Sequence, residues 1–268
     1  MKKFFAVLAA LTVSIFALVG CGGSASSDTK TIKVGATPVP HQEILELIAP
    51  TLKKEGITLE IVPFTDYVQP NIALGDKELD ANFFQHIQYL ENFISEHPNL
   101  KLVNAGGIHI EPMGVYSKKV KNLAELPEAA SIAIPNDPTN GGRSLLLLQK
   151  AGLIKLRDGA GTSATLYDIT DNVKNLRFQE VEAAQVPRTL DDVDAAVINT
   201  NYAMQADLIP TRDALVMESS DSPYVNIIAV RAGDETRPEI QALLKALKSD
   251  EVKNFLNEKY KGAILPAF

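Results

Sequence analysis

Residues 131–153 combine turn formers, a cation and a leucine-rich run in one short segment. Residues 131–135 have the composition of a strand, residues 136–142 are rich in Asn, Pro and Gly, and residues 143–150 have a helical pattern ending near Gly152. The predicted loop therefore delivers a helix N-terminus, where free N–H groups and the helix dipole attract anions. A carboxylate ligand would satisfy both this terminus and Arg143, which we place in or beside the first turn. The alternative is a surface arginine paired with a neighbouring acid.

Four further positions or clusters could face a ligand cleft. Tyr67 follows a predicted strand, Phe84 and His86 share one face of another, Asn199 stands at a strand end, and Asn226 interrupts an apolar run. Each has a structural alternative. The aromatic rings could belong to the core, His86 could cap the next helix, Asn199 could end its strand, and the amide of Asn226 could find its partners within the protein.

Four histidines, at positions 41, 86, 97 and 109, raise the hypothesis of a metal site completed by Glu111. Their spacing matches neither HExxH nor a tight Cys/His cluster. The sequence also lacks a GxSxG elbow and a P-loop GK[ST], and its only cysteine is Cys21. We therefore expect no catalytic residue, no metal and no cofactor. A metal receptor that uses His86, His109 and Glu111 is the alternative.

Strand and helix patterns alternate along the chain, which predicts an α/β architecture with largely parallel strands. Strands are predicted at residues 31–37, 57–64, 79–84, 100–105, 131–135, 176–182, 195–200 and 222–231. Helices are predicted at residues 44–52, 86–95, 143–150, 201–206, 239–247 and 252–260. Pro50 should kink the first helix or delay its start.

The order of these elements predicts two lobes. A new α/β series starts at Ser131, and a long apolar strand near residues 222–231 returns the chain to the first series. The simplest arrangement is one lobe of residues 31–114 and 225–268, a second lobe of residues 115–224, and two crossings between them. A ligand is expected in the cleft between the lobes.

The first 30 residues have the pattern of a secretory signal followed by a tether. Lys2 and Lys3 precede an apolar run at residues 4–19, which is shorter than the roughly 20 residues that a membrane-spanning helix needs. Cys21 after Gly20 resembles a bacterial lipobox, in which the cysteine becomes a lipidated N-terminus; the alternative is an ordinary secretory signal. Residues 22–30 are a flexible polar tether.

The charge of the chain excludes one class of partner. Its formal net charge is −7, and removal of Lys2 and Lys3 with the signal would make it −9. An acidic surface without arginine clusters argues against nucleic acid as a ligand.

Several strings in the chain resemble a known family. They are LVGC, FTDYVQPNIAL, ELDANFFQHIQYL, YSKKVKNLAEL, IAIPNDPTNGGRSLLLLQKAGLIKL, VPRTLDDVDAAVINTNYA and SPYVNIIAVR. Together they are similar to the methionine-binding lipoproteins of bacterial ABC importers, the NlpA lipoprotein group, almost from end to end. The string PNDPTNGGRSLLLLQ is the most specific of them.

The resemblance implies a periplasmic-binding-protein-like fold of type 2, whose two α/β lobes close on a free amino acid. By resemblance, Arg143 would pair with the ligand carboxylate, and Asn199 and Asn226 would hydrogen-bond its charged ends. The walls around a thioether side chain would be Tyr67, Phe84 and His86. His109 and Glu111 receive no ligand role. Replacement of Arg143 by alanine is expected to abolish methionine binding with little change in the stability of the ligand-free protein.

The resemblance also implies the setting in which the protein works. It would be a monomeric receptor and not an enzyme, held by lipidated Cys21 on the outer side of the cytoplasmic membrane. Its partners would be a bilayer, a membrane permease and an ATPase. L-methionine is the expected ligand, and D-methionine, a methionyl dipeptide or another amino acid is the alternative. An enzyme or an adhesin on the same fold is a further alternative.

Overall fold

The computed structural model describes residues 30–268 of the chain. The predicted signal segment, the lipidation site at Cys21 and almost all of the predicted tether lie outside these residues. Within residues 30–268, no helix combines the length and apolar character needed to cross a membrane.

The described residues alternate between strands and helices, as the sequence pattern predicts. The strands are β1 (Lys30–Ala36), β2 (Ile57–Pro63), β3 (Ala81–His86), β4 (Leu102–Ile110), β5 (Gly114–Tyr116), β6 (Ser131–Pro135), β7 (Lys155–Leu156), β8 (Ile169–Asp171), β9 (Arg177–Val181), β10 (Ala195–Ile198), β11 (Val216–Met217), β12 (Val225–Arg231) and β13 (Leu265–Pro266). The α-helices are α1 (Glu43–Lys54), α2 (Gln69–Gly75), α3 (Ile87–Glu96), α4 (Pro138–Lys150), α5 (Thr200–Gln205), α6 (Pro210–Asp213), α7 (Pro238–Leu247) and α8 (Asp250–Tyr260). A short helical segment at Pro38–Gln42 leads into α1.

The strands form two large sheets and one small ribbon. The first sheet has the order β13-β4-β12-β3-β1-β2, and the second has the order β11-β5-β10-β6-β9. Strands β7 and β8 pair with each other. The chain passes from the first sheet to the second between Ile110 and Gly114 and returns between Met217 and Val225. Gly114, which the predicted boundary assigns to the first lobe, is the first residue of a second-sheet strand.

Both large sheets are mixed, so the expectation of largely parallel strands is wrong. In the first sheet β1 is parallel to β2 and β3, but β12 is antiparallel to β3 and β4. In the second sheet β6 is parallel to β9 and β10, but β5 is antiparallel to β10 and β11. Strands β5 and β12 directly follow the two crossings and run against the parallel strands of their sheets, and the C-terminal strand β13 is also antiparallel to its neighbour β4. Strand direction is set there by how the chain enters a sheet, which hydrophobic patterning does not encode.

The late start that Pro50 predicts for the first helix is wrong, because α1 begins at Glu43, and the kink stays a prediction. The α1 residues Ile44, Leu45, Ile48 and Leu52 have no solvent exposure, and they pack in the core of the first sheet. Pro50 lies within the helix rather than at its start, and it is on the exposed face. Pro50 has no N–H to donate, and on the exposed face water can hydrogen-bond the carbonyl group that is left without a partner. Packing of the buried face then keeps the helix continuous across the proline.

Helix α4 begins five residues earlier than predicted. It starts at Pro138, immediately after Asp137, whose side chain accepts the backbone N–H of Asn140. Asp followed by Pro is a strong helix start, because Asp caps the first turn and Pro needs no hydrogen-bond partner at the first helical position. Residues 138–142, predicted as loop, are therefore helical, and Arg143 lies in the second turn.

Candidate functional site

A small cavity lies between the two large sheets, with about 20 Å³ of room for the centre of a water molecule. The residues of its lining come from both sides and are Tyr67, Phe84, Gln85, His86, Tyr89, Glu111, Asn140, Arg143, Asn199, Thr200, Asn201 and Asn226. All six residues predicted as ligand contacts are in this set. The sequence therefore identifies positions that the fold brings to one cavity, although they span 159 positions of the chain from Tyr67 to Asn226.

Strand pairing in the first sheet explains why three of these positions meet. Asn226 in β12 lies between two neighbours, with His86 of β3 opposite it on one side and His109 of β4 on the other. All three side chains are buried. The polar residue that interrupts the apolar run of β12 thus lies level with a histidine at or near the end of each neighbouring strand.

His86 is both a helix cap and part of the cavity wall, so its two predicted roles coexist. Its Nδ1 accepts the backbone N–H of Tyr89 at 3.1 Å, which caps α3. Its Nε2 must then carry the proton, which it donates to Asn140 Oδ1 at 3.3 Å. Burial, and next the positive charge of Arg143, lower the pKa of His86 to about 3. The ring is therefore neutral at neutral pH, which suits a wall against an uncharged side chain.

Aromatic rings form the side of the cavity next to His86. The ring centroid of Tyr67 lies 5.7 Å from those of Phe84 and Tyr89, and 4.8 Å from that of Tyr202. The Tyr67 hydroxyl donates to Asn201 Oδ1 at 2.6 Å, which joins the two sides of the cavity. Phe84 is buried and Tyr67 is half-buried. These edges and faces offer the kind of surface that a thioether sulfur contacts favourably.

The N-terminus of α4 already holds a carboxyl group from the protein itself. Asp137 accepts the backbone N–H of Asn140 at 2.9 Å and the hydroxyl proton of Thr139 at 3.0 Å. Burial raises the pKa of Asp137, and these hydrogen bonds oppose the rise. The capping aspartate therefore takes a backbone N–H that the predicted ligand carboxylate could have used, and a ligand carboxylate at this helix end stays a prediction.

Arg143 is buried and paired, which combines parts of both sequence interpretations. Its Nε and Nη2 donate to the two carboxylate oxygens of Glu218, at 2.8 and 2.5 Å. Nη2 also donates to the backbone oxygen of Glu111 at 2.7 Å, and the guanidinium carbon lies 4.2 Å from the ring centroid of Tyr224. Burial alone would lower the pKa of Arg143, but the carboxylate of Glu218 raises it. Among the described hydrogen bonds none uses Nη1, the remaining edge of the fork.

Glu218 connects the arginine to both crossings between the sheets. It lies in the second crossing, and its Oε2 accepts the backbone N–H of Met113 in the first crossing at 3.0 Å. Glu111, also in the first crossing, gives its backbone oxygen to the same arginine. Both crossings are therefore hydrogen-bonded to Arg143 of α4 or to its partner Glu218, beside the cavity. A displacement of one side of the cavity would be transmitted to the other side through these bonds.

The carboxylate of Glu111 is held by two buried histidines. Nε2 of His109 lies 2.8 Å from Glu111 Oε1, and Nε2 of His41 lies 3.1 Å from the same oxygen. Burial would raise the pKa of Glu111, but the positive potential of His41 and the two histidine hydrogen bonds lower it well below its usual range. Burial lowers the pKa of His109. Glu111 is therefore an anion in the cavity wall, and all described hydrogen bonds of its side chain use Oε1.

His41, His109 and Glu111 are also the one group in residues 30–268 whose side chains are spaced to share a metal ion. The group differs from the predicted metal set because His41 takes the place of His86. A histidine that binds a metal through Nε2 carries its proton on Nδ1 and normally donates it to a partner. Nδ1 of His109 is buried without a partner. The donor set therefore fits a hydrogen-bonded carboxylate better than it fits a metal.

Two amides in the cavity wall have a buried polar atom with no partner in the protein. Asn199 donates through Nδ2 to Asn140 Oδ1 at 2.8 Å, and its own Oδ1 is left without a donor. Asn201 accepts from Tyr67, and its Nδ2 is left without an acceptor. Unpaired buried groups of this kind are costly and uncommon. One free acceptor and one free donor in the same cavity match the opposite ends of a zwitterion.

Sequence reasoning missed several residues of this site. Asn140, Asn201 and Tyr89 lie in the strings that carry the family resemblance, but they were not predicted as ligand contacts. Glu111 was considered only as a metal ligand. A usable signal existed for Asn201, which stands two residues after Asn199 at the start of a short helix. No local signal pointed to His41, which reaches the site from 185 positions before Asn226.

Comparison with known proteins places this geometry in context. A methionine-binding lipoprotein MetQ of Bacillus subtilis is 45% identical over 269 residues, which cover 99% of this chain and 98% of the relative. A D-methionine-binding lipoprotein MetQ of Salmonella typhimurium is 46% identical over 263 residues, covering 97% and 96%. The structure of a nutrient-binding protein from Burkholderia cenocepacia bound to methionine is 49% identical, with a TM-score of 0.85 over 88% of this chain and all of that one.

These neighbours have the periplasmic-binding-protein-like α/β architecture that the sequence predicts. The profile of the NlpA lipoprotein family matches residues 32–268, which is the whole of the described fold except its first two residues. The agreement between the motifs, the fold and these relatives means that the chain belongs to the NlpA lipoprotein family.

Proposed function

We propose that this protein is a lipid-anchored receptor that captures methionine and delivers it to an ABC importer. The observation that carries the proposal is the cavity, which combines a buried carboxylate, a buried guanidinium, unpaired amide atoms and an aromatic wall. The names of the relatives support methionine as the ligand. Capture of a ligand requires no catalytic residue, so the protein acts in this proposal as a receptor rather than as an enzyme.

The charged groups of the cavity assign the two ends of the ligand. The ligand carboxylate pairs with Nη1 of Arg143 and accepts from the amides of Asn201 and Asn226. The ligand ammonium donates to Glu111 and to Oδ1 of Asn199. This assignment uses the two polar atoms that the protein leaves unpaired and the edge of the guanidinium that Glu218 does not occupy.

The ligand side chain is placed against the aromatic wall. Tyr67, Phe84 and the neutral ring of His86 would surround the thioether. Burial of a methionine side chain contributes about 1.5–3 kcal/mol, whereas micromolar binding requires about 8 kcal/mol. Charge-assisted hydrogen bonds of about 1.5–3 kcal/mol each must supply the rest, less the cost of ordering the site. Recognition of the amino-acid group therefore dominates the affinity.

The two sheets with their helices act as two lobes in this proposal, residues 30–110 with 225–268 and residues 114–217, joined by the two crossings. Bonds across the cavity, such as Tyr67 to Asn201 and His86 to Asn140, would form as the lobes close. A permease that binds the closed form more tightly than the open form would then distinguish loaded from empty receptor. Lipidated Cys21 would hold one receptor chain at the outer face of the cytoplasmic membrane, beside the permease and its ATPase.

Calorimetric titration tests the proposal. L-methionine is titrated into the chain from Ser24 onward, which keeps every described residue, after unfolding and refolding to remove any ligand that copurifies. Saturable one-to-one binding in the micromolar range or tighter is expected. Absence of binding by a correctly refolded sample at two temperatures would refute methionine as the ligand. D-methionine in the same experiment tests the other isomer, which the name of one relative specifies.

A further inference from the structure

His41 lies behind the cavity wall and has no solvent exposure. Its Nδ1 is 2.6 Å from the hydroxyl oxygen of Thr37. Its Nε2 is 3.1 Å from Glu111 Oε1 and 3.0 Å from Asn226 Oδ1. One nitrogen therefore contacts both a carboxylate and an amide that line the cavity, although His41 itself is not part of the lining.

The carboxylate determines which nitrogen of His41 carries the proton. An ionised carboxylate only accepts hydrogen bonds, so a lone pair on Nε2 would face lone pairs on Glu111 Oε1 at 3.1 Å. A proton on Nε2 removes this repulsion and forms a charge-assisted hydrogen bond. The hydroxyl of Thr37 can donate to Nδ1 or accept from it, so it suits either charge state of the ring. Nε2 is a donor in both states.

A donor at Nε2 in turn determines the orientation of the Asn226 amide. Asn226 must present Oδ1 to His41, because its NH2 group in that place would set two donors against each other. Nδ2 is then the part of the amide left for the cavity, and no described hydrogen bond of the protein uses it. Glu111 thus acts on Asn226 through His41.

We infer that His41 is a positioning residue that holds the Asn226 amide with its NH2 group toward the cavity, so that the site selects a ligand with a free α-carboxylate. The inference rests on the proposed function and makes it narrower. A neutral carboxamide, as in an N-terminal methionyl peptide, would present a donor or a weaker acceptor at this point. The orientation of Asn226 therefore favours the free amino acid over a methionyl dipeptide.

The test compares two ligands, L-methionine and L-methioninamide, in which the carboxylate is replaced by a carboxamide. The full-length chain is used in detergent, as wild type, His41→Leu and His41→Gln. The measured quantity is the ratio of the two dissociation constants. Leu removes the donor, whereas the amide nitrogen of Gln can replace Nε2. Asp168→Asn, in an exposed capping box far along the chain, is the control for loss of an unrelated polar group.

We expect His41→Leu to lower the preference for methionine over methioninamide by about tenfold, since Asn226 becomes free to turn its oxygen to the carboxamide. His41→Gln should keep the preference within about threefold of wild type. An equal loss of affinity for both ligands in His41→Leu would show that His41 only supports the fold, and it would overturn the inference.

Asn226→Asp provides a second test in case His41→Leu does not fold. His41 can still donate to the new carboxylate, but the atom facing the cavity becomes an acceptor. Methionine should then lose at least about tenfold more affinity than methioninamide. An unchanged ratio would overturn the inference. If wild type binds neither ligand, the proposed function fails; if wild type binds methionine and the ratios do not move, only the role of His41 fails.

Discussion

The two sides of the cavity orient an asparagine by different chemistry. On the first-sheet side, Glu111 is held by His41 and His109, and His41 contacts Asn226. On the second-sheet side, Asp137 caps α4 and accepts both a backbone and a side-chain N–H of Asn140. Asn140 then accepts from Asn199, whose Oδ1 is left unpaired. The first chain of contacts leaves a donor for the cavity, and the second leaves an acceptor.

The difference lies in how each carboxylate is stabilised. The histidines lower the pKa of Glu111, whereas burial raises the pKa of Asp137 against the effect of the helix N-terminus. The first arrangement needs residues far apart in the chain, and the second needs only four consecutive positions, 137–140. The nonlocal cluster lowers the pKa of its carboxyl group, whereas burial raises the pKa of the local capping residue, which is the one that the sequence can reveal.

The largest effect is expected at Arg143, which joins the two sides. Arg143→Ala leaves the carboxylate of Glu218 without its main partner in a site where its side chain is 12% exposed. Breaking a buried ion pair costs about 3–5 kcal/mol, so the structure predicts a large loss of stability, unlike the sequence alone. Urea unfolding of the ligand-free protein measures it, and methionine binding should be lost as well.

A double variant separates the two roles of the arginine. Arg143→Met with Glu218→Gln removes both charges at similar volume, so it should recover most of the stability without recovering methionine binding. Wild-type stability in the ligand-free Arg143→Ala protein would mean that the ion pair contributes little to the fold, and the sequence-based expectation would stand.

The next largest effect is expected at Glu111. Glu111→Gln keeps the size of the side chain but removes the charge that pairs with the ligand ammonium, and methionine should bind about a hundredfold more weakly. The deaminated hydroxy analogue of methionine lacks the ammonium and should lose much less. Calorimetry with both ligands checks this. Equal losses for the two ligands would contradict the assignment of the ammonium to Glu111.

Acidification should weaken the first-sheet side through its neutral histidine. The pKa of His86 is 6.5 in the unfolded chain and about 3 in the folded protein. Between these two values the unfolded chain binds a proton at His86 and the folded protein does not, so the free energy of unfolding decreases as the pH falls. Stability contributed by His86 is present at pH 7 and falls by about 2 kcal/mol at pH 5. Protonation of carboxylates adds to the total change in the wild type.

Urea unfolding at pH 7 and pH 5 measures this loss, and His86→Gln isolates it. The variant should lose about 2 kcal/mol less than wild type between the two pH values. His97→Gln, which removes a histidine outside the cavity, is the matched control. The same loss in wild type and His86→Gln would show that His86 is not the residue responsible.

Local signals account for what the sequence could predict. The periodicity of α1 and the short apolar run of β6 identify their elements. A strand end marks Asn199 as a site candidate, and a strand face shared with Phe84 marks His86. Asp137 followed by Pro138 carries a helix-start signal, but the Asn and Gly residues after it were weighted as loop formers. Packing of α4 overrides their low helix propensity, since Gly141 and Gly142 are buried within it.

Nonlocal contacts account for what the sequence could not predict. The pairing of Arg143 with Glu218 joins positions 75 apart, and His41 meets Asn226 across 185 positions. No spacing rule connects such residues, because α4, the second crossing, the segment Pro38–Gln42 and β12 come together only in the folded protein. The sequence thus predicted a set of positions that line one cavity, but it did not predict the charge partners of these residues.

The smallest effect is expected at Asp137, and it tests whether the local side of the cavity is the more adaptable one. Asn is as good a helix cap as Asp, so Asp137→Asn should change the stability of the ligand-free protein by only a few tenths of a kcal/mol. The new amide can donate to Asn140 as well as accept from it, so the orientation of Asn140, and with it that of Asn199, is no longer fixed. Methionine binding should weaken by about two- to tenfold, the value of one ordinary hydrogen bond.

Calorimetry on Asp137→Asn, beside Asp168→Asn as a capping variant away from the cavity, measures the effect. A loss as large as that of Glu111→Gln would mean that the helix cap controls the ligand as strongly as the histidine-held carboxylate does, and the contrast between the two sides would disappear.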